Sequence, residues 1–277
     1  MGKRLFWLTV ILAMGYLMLL QSKRQCTLPN YFSKQEANIL KEKKETRSLD
    51  EGLSLLKNRK DKEAIVIFEN VLASQPDNLD ALWGKAEVLR RGRNYQQSEE
   101  LLRKILEKEP NHSSSLISLA YIRYKDDRLK DALKLINRAL DGLILGKENQ
   151  ALCYMMLGAI NSRRSEKGLF LSKIIYGTRI KSYFLRAKEL SPDLPEVHLG
   201  LGTFYLLTPA IAGGNLDRAI EELGLAVEIA PDFATANARL AQAYKKKGDL
   251  EKYNFHIGRA RQLDPHNEAL KEIAEAK

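Results

Sequence analysis

Apolar side chains recur at helical spacing along most of this chain, and several of the apolar stripes end at a proline. Pro76 and Pro110 lie 34 residues apart, and so do Pro231 and Pro265. Proline ends a helix because it lacks the backbone N–H donor and its ring clashes with the preceding turn. The pattern therefore predicts pairs of helices that repeat every 34 residues, from residue 45 to residue 265.

Three other positions of this period keep their character. The first helix of each pair carries a small residue in one register: Gly52, Ala86, Ala120, Gly158, Gly202 and Ala241. The second helix opens on a small residue in four pairs and on a larger one in two: Ala64, Ser98, Ala132 and Ala219, then Ile180 and Tyr253. A bulky apolar residue follows four positions later: Phe68, Leu102, Ile136, Phe184, Leu223 and Ile257.

In these positions the sequence resembles the tetratricopeptide repeat, a 34-residue helix–turn–helix family. The resemblance covers residues 45–265. It implies an all-α fold, a right-handed superhelical solenoid of about six repeats whose first helices line a concave groove. The predicted repeats are residues 45–78, 79–112, 113–146, 151–194, 195–233 and 234–265.

The predicted array is flanked by two short segments. Residues 266–277 place Leu270 and Ile273 on one face among charged residues, which predicts a helix that caps the array. Residues 25–44 are predicted to be a linker or a leading helix.

Residues 5–20 form an almost uninterrupted apolar segment behind Lys3 and Arg4. As a helix it would span about 24 Å, slightly less than a hydrocarbon core of about 30 Å. No small-residue cleavage site follows it. We therefore expect residues 1–24 to be a single-pass anchor in the inner (cytoplasmic) membrane, with extracytoplasmic repeats. A cleaved signal with secretion to the periplasm and a buried helix of the fold are the alternatives.

Two of the repeats are interrupted. Gly158 and Phe184 are 26 residues apart, where Gly52 and Phe68 are 16 apart. Five extra residues lie in 208–214 of the fifth repeat, and this segment ends in a Gly-Gly pair that permits a tight turn. Over residues 155–232 the sequence also resembles the helical T-components of tripartite (TRAP) transporters, which implies a periplasmic transport accessory as an alternative function.

The net charge of +10 is confined to two stretches. Residues 1–48 and 161–190 each carry +6. Nucleic-acid binding proteins usually have a continuous basic face, so we expect no nucleic-acid partner. In the second stretch, four residues are candidates for contact with anionic lipid or an acidic partner: Arg163, Arg164, Lys167 and Lys173. The alternative is that this stretch is a longer second helix that packs on its neighbours.

The resemblance also implies which side chains face the groove. The candidates for partner binding are Trp83, Glu87, Arg90, Ile117, Tyr121, Tyr124, Leu152 and Met155. An apolar surface with aromatic anchors is typical of a contact site for a protein or an amphipathic peptide. We therefore expect a scaffold that binds a protein partner. The alternative occupant is a second copy of this chain, which would make a homo-oligomer.

The sequence carries no catalytic or metal-binding signature. Its four histidines stand alone, and the two cysteines, Cys26 and Cys153, are far apart. Gly213 and Gly214 are not followed by the Lys and Ser or Thr of a nucleotide loop. We therefore expect no enzyme activity, no cofactor and no metal.

Overall fold

The structure is a computed structural model that describes residues 48–142, 145–167 and 170–275, with the backbone alone for residues 170–178. The chain divides into two units, Met1–Asp50 and Glu51–Lys277. Nearly all described residues belong to the second unit. The predicted anchor, residues 1–24, and the predicted leading segment, residues 25–44, lie outside the described residues.

Every regular element in the described part of the chain is helical. A first helix, α1, covers residues 48–57. The helices that follow are α2 (Asp61–Ser74), α3 (Leu79–Arg91), α4 (Tyr95–Lys108), α5 (Ser113–Lys125), α6 (Leu129–Leu140), α7 (Lys147–Lys167), α8 (Phe170–Leu190), α9 (Pro195–Leu207), α10 (Leu216–Ile229), α11 (Ala234–Lys247), α12 (Leu250–Leu263) and α13 (Glu268–Glu275). A single 3₁₀ turn, Ala210–Ala212, lies between α9 and α10.

The prolines stop the helices as the sequence predicts. Gln75, Glu109, Ala230 and Asp264 each precede a proline, and their ψ angles lie between 77° and 91°. A residue before proline avoids the α region because the proline Cδ clashes with its backbone. Each of these four residues therefore ends its helix and turns the chain into the next pair.

The helices pack in sequence order. All the helix pairs that pack closely in the described residues are neighbours or next neighbours along the chain. The six bulky positions of the period are buried: Phe68, Leu102, Ile136, Phe184, Leu223 and Ile257. The small residues of the period lie where the two helices of a pair cross closely. A Cβ on Gly158 would lie 2.3 Å from Phe184 Cε1, and a Cβ on Gly202 would lie 2.5 Å from Leu223 Cγ.

The two interruptions take different forms. In the fourth repeat the extra residues lengthen both helices, so that α7 and α8 have 21 residues each. In the fifth repeat they form the turn around the 3₁₀ segment. There Gly213 adopts φ +99°, and a Cβ on Gly214 would lie 1.8 Å from the Thr208 carbonyl oxygen. Glycine is therefore required at this turn.

The localisation predicted from the sequence is contradicted. Over residues 48–142, 145–167 and 170–275, no helix combines the length and apolar character that crossing a bilayer requires. This finding corrects the prediction of a single-pass inner-membrane protein with extracytoplasmic repeats. The apolar segment on which the prediction rested, residues 5–20, lies outside the described residues.

Candidate functional site

The first helices of successive repeats line a groove with a volume of 2620 Å³. Its walls include α3, α5, α7 and α9, together with the turn between α12 and α13. The structure brings all eight predicted partner-binding residues to this groove: Trp83, Glu87, Arg90, Ile117, Tyr121, Tyr124, Leu152 and Met155. These eight residues differ in exposure. Those that are partly exposed offer surface to a partner, and those that are buried pack within the groove wall.

Three aromatic side chains form the centre of the groove wall, and we call them the aromatic cluster. Trp83, Tyr121 and Tyr124 are each half-buried. The Trp83 indole Nε1–H donates to Ser118 Oγ at 3.2 Å, and the ring centroids of Tyr121 and Tyr124 are 6.4 Å apart. Because each ring keeps part of its surface in the groove, the cluster can still bury apolar area against a ligand.

Two arginines flank the aromatic cluster. The Arg90 guanidinium lies 4.1 Å from the centroid of Tyr121, and that of Arg163 lies 5.3 Å from the centroid of Tyr124. Both distances are within the range of a cation–π contact. The two arginines thus stabilise the tyrosine rings of this wall.

Glu87 has a structural role in place of the predicted partner contact. The residue is 6% exposed, and its carboxylate accepts from Arg90 Nε at 2.7 Å, Arg91 Nε at 3.1 Å and Ser118 Oγ at 3.0 Å. Burial raises the pKa of Glu87, but the charges of Arg90 and Arg91 outweigh it and bring the pKa to about 2. Ile117, at 7% exposed, is also mostly buried in the wall.

The four basic residues predicted to contact lipid or an acidic partner have separate surroundings. Arg163 faces the groove beside Tyr124. Lys167 forms an ion pair with Asp127. Arg164 is half-buried and has an interaction partner. Lys173 lies in α8, and its side chain is outside the described residues.

Three ion pairs that no sequence pattern predicted connect residues far apart in the chain across the groove. Arg59 pairs with Glu196, Arg93 Nη2 lies 2.6 Å from Asp264 Oδ2, and Lys125 pairs with Glu268. We call these three contacts the cross-groove pairs. All six side chains line the groove. Arg59 also stacks on Phe233 at 3.8 Å, and burial together with the charge of Arg91 lowers the pKa of Arg59 to about 10.

The two arginines of the cross-groove pairs have an unusual backbone conformation. Arg59 and Arg93 have φ of 63° and 65°, in the left-handed region that favours glycine. The same register holds Gly248 in the last repeat, with φ 85°. The 34-residue spacing of Arg59 and Arg93 could have placed both on one edge of the array. It could not have shown that the last repeats would come within reach of that edge.

Comparison with known proteins supports the repeat assignment. Residues 55–114 and residues 88–143 match family models described as tetratricopeptide repeat. A mouse PEX5-related protein is 24% identical over 67% of this chain and 31% of its own length. A Dictyostelium discoideum DnaJ homolog subfamily C member 7 homolog is 25% identical over 89% of this chain and 46% of its own length. The chain thus spans about a third to a half of these curated relatives.

Solved structures show the same fold. The human IFIT1 dimer with m7Gppp-AAAA aligns with a TM-score of 0.58 and 19% identity, covering 83% of this chain and 52% of that one. At this identity the likeness concerns the fold alone. The repeat register, the helix pairing and the two family matches agree that residues 55–143 are tetratricopeptide repeats.

Proposed function

We propose that this protein is a scaffold whose groove binds an apolar helical segment of a protein partner. The observation that carries the proposal is the aromatic cluster, three half-buried rings held in place on the groove wall. Leu152 and Met155, also half-buried, extend the apolar surface along α7. Aromatic side chains of this kind dominate the free energy of binding where they contact a partner.

The size of the groove suits one helix. A helix about 10 Å across that rises 1.5 Å per residue occupies about 120 Å³ per residue, so a groove of 2620 Å³ has room for about 20 residues. An amphipathic helix would place apolar side chains at positions three and four apart against the aromatic cluster. Its polar face would then lie toward the charged rim.

The electrostatics of the groove favour a protein over a nucleic acid. Arg90 and Arg91 are engaged by Glu87, and the cations of the cross-groove pairs are engaged by carboxylates. Nucleic-acid binding derives most of its affinity from cations that neutralise phosphates. Cations already paired with carboxylates contribute less to such binding, so the apolar wall is the stronger determinant.

The proposal is tested by selecting amphipathic peptides from a display library against the purified protein. The dissociation constant of each enriched peptide is then measured by fluorescence anisotropy for the wild type and for Trp83→Ala. We expect the substitution to weaken binding by at least about tenfold, because it removes an aromatic anchor. The melting temperature of the variant is measured in parallel to verify that it is folded.

Val66→Ala is the matched control. Val66 is an exposed apolar residue on α2 outside the groove, so its removal should leave the dissociation constant unchanged. The proposal fails if no peptide is enriched. It also fails if the enriched peptides bind a folded Trp83→Ala variant as tightly as the wild type.

A further inference from the structure

We infer that access to the groove is gated by the cross-groove pairs, which hold the two ends of the array together until they separate. This inference concerns the regulation of the site and rests on the proposed function. The three cations follow the order of the first repeats, and the three carboxylates belong to the fifth and sixth repeats and α13. All six side chains line the groove, so a segment bound there lies against them.

Side chains alone hold the gate closed. In the described part of the chain, every closely packed pair of helices is separated by no more than one other helix. The early helices α2 to α5 therefore share no packed interface with α9 to α13. Arg93 and Asp264 meet across 171 residues of sequence through their side chains. A solenoid flexes by small rotations at each repeat, so opening requires no dedicated hinge.

Two of the three pairs have exposed members, as contacts that separate readily do. Arg93 and Asp264 have 37% and 33% of their side chains exposed, and the Glu268 side chain is 59% exposed. Exposed pairs are screened by salt and stabilise weakly. Arg59 is less exposed, but its Nε and the Oε2 of Glu196 are buried without hydrogen-bond partners. An incompletely satisfied buried pair favours the closed form less than a fully bonded one.

The gate lies next to the candidate site. Lys125 follows Tyr124 directly in α5, and it pairs with Glu268. The pKa of Glu268 is raised by burial and lowered more strongly by Lys125, with smaller contributions from Arg93 and Arg163. Arg163 is the residue that stacks on Tyr124. The Lys125–Glu268 pair therefore lies beside the aromatic cluster.

Trp83 provides a reporter that needs no partner. The chain has two tryptophans, Trp7 and Trp83, so Trp7→Phe leaves Trp83 as the single indole. In this background, acrylamide quenching of Trp83 fluorescence is measured for Arg93→Glu, for Lys125→Glu and for the double variant Lys125→Glu with Glu268→Lys. Asp264 is left unchanged because it also accepts from the His266 backbone N–H at 3.1 Å and from Asn267 Nδ2 at 3.2 Å. We expect each single reversal to raise the open fraction about fivefold, and the double variant to return quenching to the wild-type value. Quenching of the wild type should rise with sodium chloride concentration.

Arg128→Glu is the matched control. Arg128 forms an exposed pair with Asp131 at 2.6 Å outside the groove, so its reversal makes the same change of net charge without touching the gate. The inference is overturned if Arg93→Glu quenches like the wild type, if Arg128→Glu raises quenching as much, or if the double variant does not restore it. Far-UV circular dichroism verifies that each variant is folded.

The same variants separate this inference from the proposed function. If Arg93→Glu leaves quenching unchanged while Trp83→Ala still weakens the selected peptides, the gate is wrong and the groove still binds. If quenching responds as expected but Trp83→Ala leaves the affinity for the selected peptides unchanged, the gate is present and the proposed function is wrong.

Discussion

The second and fifth repeats build the same wall from different chemistry. In the second repeat, α3 faces the groove with Trp83, Glu87 and Arg90, which are tied together through Ser118 and Arg91. In the fifth repeat, α9 carries no charged residue after His198. There the corresponding positions are held by three uncharged residues: Leu199, Thr203 and Leu206.

The difference shows which positions carry the fold. Both repeats keep a small residue at the helix crossing, Ala86 or Gly202, and both bury a leucine below it, Leu102 or Leu223. The groove-facing positions vary because they do not form the crossing. The charged groove face is thus a feature of the second repeat that the fifth lacks. These charges stabilise the second repeat only while each ion pair is complete.

The largest expected effect comes from breaking the second repeat's network. Glu87→Ala would leave Arg90 without a carboxylate in a mostly buried site, whereas Arg91 keeps its pair with Asp61 at 2.8 Å, so the free energy of unfolding is expected to fall by about 3 kcal/mol. Urea denaturation measures the change. Glu69→Ala is the control: Glu69 is exposed and pairs with Lys85 at 2.9 Å, so a loss of no more than about 1 kcal/mol is expected. Equal losses in the two variants would contradict the role assigned to Glu87.

Acid should weaken the second repeat before the fifth. Arg90 and Arg91 overcome the effect of burial to hold the pKa of Glu87 at about 2, and hydrogen bonds from Arg123 hold that of Glu99 at about 2, against ordinary values of 4.5. A depressed pKa in the folded state stabilises the protein above the ordinary pKa. That stabilisation is lost as the pH falls from 4.5 toward 2.

Hydrogen exchange after a pulse at low pH tests this order. The fifth repeat has one such carboxylate, Glu222, whose pKa is raised by burial but lowered overall by His198 and Lys188. We expect amides of α3 to α5 to lose protection at higher pH than those of α9 and α10. Protection lost first in α9 would contradict the prediction.

A smaller effect is expected at the fifth repeat's crossing. Gly202→Ala would place a Cβ 2.5 Å from Leu223 Cγ and 3.1 Å from the Leu223 backbone nitrogen. Since the backbone of α10 cannot move freely, overpacking is expected to lower the free energy of unfolding by about 1–3 kcal/mol. Gly224→Ala, at the residue directly after Leu223 but in open space, should raise it by up to about 1 kcal/mol. A stabilised Gly202→Ala variant would show that the crossing is looser than described.

The smallest effect on stability is expected when Ser98 of the second repeat is replaced by alanine, the residue that the fifth repeat has in the same register. Ser98 Oγ–H donates to the Ala86 carbonyl at 2.8 Å, and the same register in the fifth repeat holds Ala219. Ser98→Ala keeps the packing and removes one hydrogen bond, so we expect a loss of about 1 kcal/mol or less in thermal unfolding. A loss as large as that of Glu87→Ala would mean that the hydroxyl does more than tie the helix pair.

The sequence predicted the packing well because packing depends on local register. The 34-residue period located the buried leucine, phenylalanine and isoleucine positions, and the residues before proline end their helices where expected. The direction of a side chain follows from its helical position, and all eight predicted residues line the groove.

The partners of those side chains were not predictable in the same way. Glu87 points toward the groove, but the register does not reveal that Arg90, Arg91 and Ser118 surround it. The cross-groove pairs depend on the cumulative rotation of several repeats. A small change of rotation at each repeat would separate Arg93 from Asp264, and no short sequence pattern encodes that sum.

The contact between Arg93 and Asp264 also bears on how the protein unfolds. In an array held by nearest neighbours, the terminal repeats fray first and the loss spreads inward. Arg93 connects the second repeat to the turn before α13, so fraying of the last repeat also removes a contact from the second. Unfolding at one end is thereby coupled to the other through a few side chains. Because of this ion pair, the array is expected to unfold more cooperatively than packing between neighbouring repeats alone would predict.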